Sequence, residues 1–202
     1  MTKKITHHAL LLTVFLLSSC IKLFPEASTN EKTILLELTD LKVDKAKKVD
    51  WQLLIEKPTA PSHLNTSLIA VSNQDGTANY IENAQWADDL PDILHTNLID
   101  AFIISNKIMG VGRSAIGLDV KYTLHVDIND FELDTSKEKE PHIKISLTAQ
   151  LMEMLTRKVT MIKTFTTTLP VSYNNIKSTS QSFNQALETV LSKIVVWTLS
   201  AP

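Results

Sequence analysis

Hydrophobic positions change their period several times along the chain, and each change predicts an element. Thr33 to Thr39 (TILLELT) is an aliphatic, β-like segment. Residues 42–50 (KVDKAKKVD) form a charge-rich loop, and Trp51 to Lys57 (WQLLIEK) reads as a strand that stops at Pro58. Ser67 to Ser72 is a short apolar strand. Asn73-Gln74-Asp75-Gly76 carries hairpin turn chemistry, and Ala78 to Ile81 returns from it. The period then lengthens. Leu90, Ile93, Leu94, Leu98, Ala101 and Phe102 share one face of a helix. Pro91 is tolerated only in a first turn, so the helix starts near Asp89.

Strict alternation follows in Val120, Tyr122, Leu124, Val126 and Ile128. Phe131 and Leu133 take the opposite parity, so a β-bulge near Asn129 or Asp130 is needed to keep both inside. Residues 143–155 alternate again, and 159–169 (VTMIKTFTTTL) make a Thr-rich third member of the meander. Phe183, Ala186, Leu187, Val190, Leu191, Ile194 and Trp197 form a closing helix, with Ser180 or Ser182 as its N-cap. The expected fold is α+β: a mainly antiparallel β-sheet with two helices packed on one face.

The N-terminus reads as an address rather than as part of the fold. Lys3 and Lys4 precede an apolar run from Ala9 to Leu17, too short to span a bilayer but suited to a signal peptide. Leu17-Ser18-Ser19-Cys20 follows, an aliphatic residue, two small residues and Cys, which looks like a bacterial lipobox. The Cys20 thiol would take a diacylglyceryl thioether, and its freed amine a further acyl chain such as palmitate. Two or more acyl chains hold a membrane far more firmly than one. An ordinary signal peptide with an unrelated Cys, or an N-terminal membrane helix, are the other readings. The agreement of basic region, apolar length and box favours the lipoprotein. Ile21 stands where an Asp would mark inner-membrane retention, which points to a periplasm-facing place on the outer membrane. The expected organisation is signal peptide 1–19, lipidated Cys20 and tether 20–32, and a single domain 33–202.

Composition narrows the function. The formal net charge is -2, without the basic excess of a nucleic-acid-binding protein. With one Cys, no intramolecular disulfide or Cys-based zinc site can form. Gly112 to Gly117 has the glycine spacing of a phosphate loop, but Leu118-Asp119 replaces the Lys-Ser/Thr that would hold the phosphates. His63, His95, His125 and His142 lack metal-ligand spacing; His125 and His142 are placed to face each other across the hairpin as a solvated pair. No enzymatic site, metal or cofactor is expected beyond the lipid on Cys20. Trp86 stands out beside Tyr80, just before Leu90 and Pro91. It reads either as a staple fastening the start of the helix to the sheet or as part of an aromatic contact for a partner or lipid. Tyr80, Trp86, Leu90 and Pro91 are the candidate contact residues.

Glu56-Lys57-Pro58-Thr59-Ala60, Leu68-Ile69-Ala70-Val71, Tyr80 to Pro91 (YIENAQWADDLP), Tyr122 to Phe131 and Val195 to Leu199 together resemble the ABC-type transport auxiliary lipoprotein family. That family includes the lipoprotein of the paraquat-inducible intermembrane transport system. The likeness spans roughly residues 33–199. Leu68 departs from the usual Arg, and the loop 42–50 is longer than typical. The resemblance implies a non-enzymatic component accompanying an ATPase, a permease and an MCE-domain protein in lipid movement between membranes. It implies docking of the periplasmic MCE assembly at the outer membrane, with a homo-oligomeric ring as one form. The alternative is an activator or scaffold of another envelope machine, a cell-wall synthase or secretion complex.

Overall fold

The computed structural model describes residues 32–115, 117, 119–136, 141–171 and 175–202. The signal peptide, Cys20 and the tether up to residue 31 lie outside the described residues.

The elements run β1 (Lys32–Ile34), β2 (Gln52–Ile55), β3 (Leu68–Ser72), β4 (Ala78–Trp86), α1 (Leu90–Ser105), β5 (Gly110–Gly112), β6 (Val120–Asp134), β7 (His142–Glu153), β8 (Lys158–Pro170) and α2 (Ile176–Thr198). All eight strands join one sheet. β6 is its spine. Along one edge it pairs with β7, which pairs in turn with β8. Along its other edge two short strands follow each other end to end. β2 lies beside Val120–Leu124 and β3 beside Glu132–Asp134, with a Thr59–Asp127 bridge between them. The bulge expected near Asn129 is present, because the β6–β7 register shifts between Ile128 and Asp130. It returns Phe131 and Leu133 to the interior, where both are fully buried.

The sheet is mixed, which corrects the mainly antiparallel expectation. β1–β4, β2–β5, β2–β6 and β3–β6 are parallel, against the antiparallel β3–β4, β6–β7 and β7–β8. Alternation along a chain reveals hairpins between neighbours. It carries no sign of parallel pairing between strands nearly 70 residues apart, such as β2 and β6.

Several local expectations also change. The aliphatic run from Thr33 is a strand only to Ile34 and then becomes a strap. β5 carries no alternation and was not expected. α2 starts about two turns earlier than its apolar stripe, capped by the Asn175 side chain, which accepts from Ser178 N–H at 2.9 Å; Ser180 and Ser182 lie inside the helix. His125 and His142 do not face each other. His125 opposes Gln150 and bonds Glu56 at 2.9 Å, while His142 opposes Asp134 at 3.2 Å. The hairpin register sets this, since His142 starts β7 and must meet the end of β6.

α2 rests on β7 and β8, α1 on β2 and β5, and the two helices touch. α1 begins as expected at the Asp89 cap with Pro91 in its first turn, and ends at Asn106 in the left-handed conformation. The buried His95 ties α1 to the sheet through Nε2, 2.8 Å from the Ile55 carbonyl. A carbonyl only accepts, so Nε2 carries the proton. The opposite face of β6, β7 and β8 is polar, with Thr123, Ser146, Thr148, Thr164 and Thr166 along it.

Candidate functional site

The tryptophan motif is a packing device. Asn83 adopts φ 56°, and the β3–β4 register slips between Leu68 and Ala70. A left-handed residue is tolerated by Asn, and here it turns the strand so that Ala84 and Trp86 enter the core. Trp86 is 1% exposed. Its ring meets Phe131 of β6 at 5.7 Å and Phe183 of α2 at 5.0 Å, both edge to face, and the two phenyl rings stack at 5.4 Å. Trp86 N–H donates to the Ser67 carbonyl at 2.7 Å, and Leu90 N–H to that of Thr66 at 3.1 Å. Leu90 and Pro91 are buried as well. Of the four candidate contact residues Tyr80 alone presents much surface, at 38% exposure, and its hydroxyl donates to the His63 carbonyl at 3.3 Å. Cys20, the candidate lipidation site, lies outside the described residues.

The polar face of the sheet holds a cross-strand set of charges. Asp130, Glu132 and Asp134 lie on one face of β6, and Lys144 and His142 lie opposite on β7. Lys144 Nζ donates to Asp130 at 3.0 Å, and this bond raises the lysine's pKa. Burial pushes the Glu132 carboxyl above its ordinary value, outweighing a hydrogen bond with Ser72. Burial also pushes Asp134 up, but hydrogen bonds from the Ser136 hydroxyl and N–H, together with His142, outweigh it and leave its pKa lowered. Among the described residues no group of three or more His, Cys, Asp or Glu side chains could hold a metal ion.

A groove of about 920 Å³, which sequence reasoning missed, opens on the helix side of β8. It lies between α2, residues 163–166 of β8, and residues 40–45 of the strap. The strap holds its place by bonding one stripe of α2. Glu37 N–H donates to Asn184 Oδ1 at 3.3 Å, Asp40 N–H to Glu188 Oε1 at 2.9 Å, and Lys42 N–H to Ser192 Oγ at 3.0 Å. The three acceptors stand four residues apart on the helix, so each turn receives one strap residue. Phe165 and Trp197 meet at 5.6 Å on the apolar side of the groove, and Lys42, Lys45, Lys163 and Lys193 ring it. The usable signal was the Thr-rich closing strand of the meander, which must end the sheet and leave one edge open.

A family model for the ABC-type transport auxiliary lipoprotein component matches residues 37–195. The chain belongs to this family. A crystal structure of a Xanthomonas campestris protein superposes with a TM-score of 0.78 at 29% identity, covering 84% of this chain and 95% of that one. A hypothetical protein from Chlamydia trachomatis shares the fold, with a TM-score of 0.55 at 10% identity, covering 75% of this chain and 97% of that one. An uncharacterised protein of Bradyrhizobium diazoefficiens is 24% identical over 159 residues, 77% of this chain. The chain spans about 41% of that curated relative's length. In this auxiliary lipoprotein component most apolar members of the motifs serve the core, while Tyr80, Glu82, Asn83 and Asp88 stay exposed. Ile69, Ala70, Val71, Ala84, Trp86 and Leu90 are buried, and Glu56 holds His125.

Proposed function

We propose that this auxiliary lipoprotein component is anchored through lipidated Cys20 to the outer membrane, faces the periplasm, and docks the MCE-domain protein of an ABC-type intermembrane lipid transport system. The match to the family over residues 37–195 carries the reading. The single domain 33–202 acts by contact rather than by catalysis. The permease and ATPase of the same system supply the energy, and copies of the lipoprotein assemble as a ring around the MCE protein. Two features support a contact role. Most apolar motif residues are buried in the core, and among the described residues the surface offers an open strand edge beside a groove. Among the described residues no helix is long and apolar enough to cross a membrane, so the reading assigns attachment to the lipid on Cys20.

The test is purification of the full-length lipoprotein from solubilised membranes, with lipid analysis of a deletion strain. The MCE-domain protein is expected to co-purify, and the deletion to shift lipid distribution between the two membranes. Absence of the MCE-domain protein together with an unchanged lipid distribution would sink the reading.

A further inference from the structure

β8 closes one side of the sheet, and among the described residues it pairs with β7 alone. The ladder shows which of its peptide groups face outward. Val171 N–H donates to the Pro141 carbonyl at 3.0 Å, and this couple continues the register in which His142 opposes Pro170 and Ile143 opposes Leu169. In an antiparallel pair, hydrogen-bonded couples alternate with non-bonded ones. Leu169, Thr167, Phe165 and Lys163 therefore bond to β7. The N–H and C=O groups of Ile162, Thr164, Thr166 and Thr168 point away from it, along the open edge. All four of these residues are exposed.

The groove runs along this row. β8 forms one wall, the strap at residues 40–45 another, and α2 the third side. We infer that the groove is a seat for one added β-strand, an extended acidic segment of a partner protein that pairs with β8. Strand addition draws affinity from the main chain and specificity from alternate side chains, which would enter beside Phe165 and Trp197. The charge favours acidic residues. Lys42, Lys45, Lys163 and Lys193 line the groove against Asp40, Asp44 and Glu188, a cationic excess of one, and two of these acids are already engaged. Glu188 Oε1 accepts from the strap, and Asp40 sits 3.8 Å from Lys42. An acyl chain in the same place would leave the outward peptide groups without partners. A second β8 would bring its own Lys158 and Lys163 into a seat already cationic. The inference rests on the docking reading only in assigning the strand to a transport partner.

The experiment uses the full-length protein in detergent with two fluorescent probes, a short peptide alternating Glu and Val and its Lys-for-Glu counterpart. The Glu peptide is expected to bind and to slow hydrogen exchange at Ile162, Thr164, Thr166 and Thr168, while the Lys peptide does neither. Thr164→Pro and Thr166→Pro each remove one outward N–H and leave the main-chain ladder of Lys163, Phe165 and Thr167 in place, as an edge strand tolerates, at the loss of one hydroxyl bond to Thr148 or Ser146. Each should weaken binding by up to about tenfold. The exposed double variant Lys163→Glu/Lys193→Glu should weaken it similarly with an unchanged melting temperature, and it keeps the test valid if a proline variant misfolds. Unchanged exchange at the four amides, equal binding of the Lys peptide, or undiminished binding by the lysine variant overturns the seat. Protection of those amides in the protein alone that grows with its concentration assigns the edge to a second copy and also overturns it. If the edge takes the Glu peptide while no MCE-domain protein co-purifies and the deletion leaves lipid distribution unchanged, the docking reading fails and the seat stands.

Discussion

Trp86 has its indole ring between Phe131 and Phe183, with Nε1 buried and lacking a partner among the described residues. An unpaired buried N–H costs roughly 1–3 kcal/mol, yet the ring joins β4, β6 and α2 at one point. Its packing therefore outweighs its polarity. Trp86→Ala should lower unfolding stability by about 3–5 kcal/mol in urea titrations. Trp86→Phe removes the orphan N–H together with some volume, and should cost less than about 1.5 kcal/mol. Equal losses in the two variants would contradict this account. Glu132 makes a second residue-scale case. Its folded pKa lies above the ordinary 4.5, so the folded state holds the proton more tightly than the unfolded chain. Its contribution is fully present below the unfolded value and is lost as pH rises through the folded one. Glu132→Gln should thus melt above the parent at neutral pH, with the gain vanishing near about pH 4. Asp134 has the opposite sign, because its folded pKa lies below 3.8. Asp134→Asn should lose stability at neutral pH, and the loss should fade as pH falls through that folded value. Thermal melts across pH read both signs.

The element that decides the surface is the strap, not a helix or a strand. It follows β1, crosses α2 along Asn184, Glu188 and Ser192, and also touches α1, where Asn97 Nδ2 donates to the Leu36 carbonyl at 3.3 Å. Glu188 is its main fastening, since Oε1 accepts from Thr39 N–H and Oγ1 as well as from Asp40 N–H. These bonds are solvent-exposed, so Glu188→Ala should cost only about 1 kcal/mol of global stability. Its larger effect should be local. Hydrogen exchange at Thr39, Asp40 and Lys42 should quicken while that of β6 stays unchanged, and uniform change across the chain would refute the strap's independence. The apolar pattern TILLELT showed that this stretch is partly buried, and Leu36 does lie inside. It did not show that burial occurs against helices rather than in a strand, because a strap and a strand bury aliphatic residues alike.

For the whole molecule, the sheet places the long meander at one side and the short parallel strands at the other. The result is one face covered by helices, one polar face, and an open edge at β8. Attachment is a separate matter, assigned above to Cys20. Behind a cleavable signal peptide without a lipobox in place of residues 1–19, a Cys20→Ser chain should appear in the soluble periplasmic fraction with the same melting temperature as the parent. Its retention in the membrane fraction would show that another surface carries the attachment.

The strands other than β5, both helices, the bulge near Asn129 and the family-like motif residues were legible along the chain, although the first strand is shorter than its aliphatic run. Each follows from local chemistry: period, turn residues, a proline, or parity that must be restored. What needed the tertiary structure was everything joining distant positions. The parallel partners of β6, the pairing of His125 with Glu56, the burial of Trp86 and the lysine-rimmed groove belong to this class. Side-chain periodicity states which way a residue points within its own element. Which element then stands opposite depends on the burial of the whole sheet, a sum over long-range contacts that no local pattern contains.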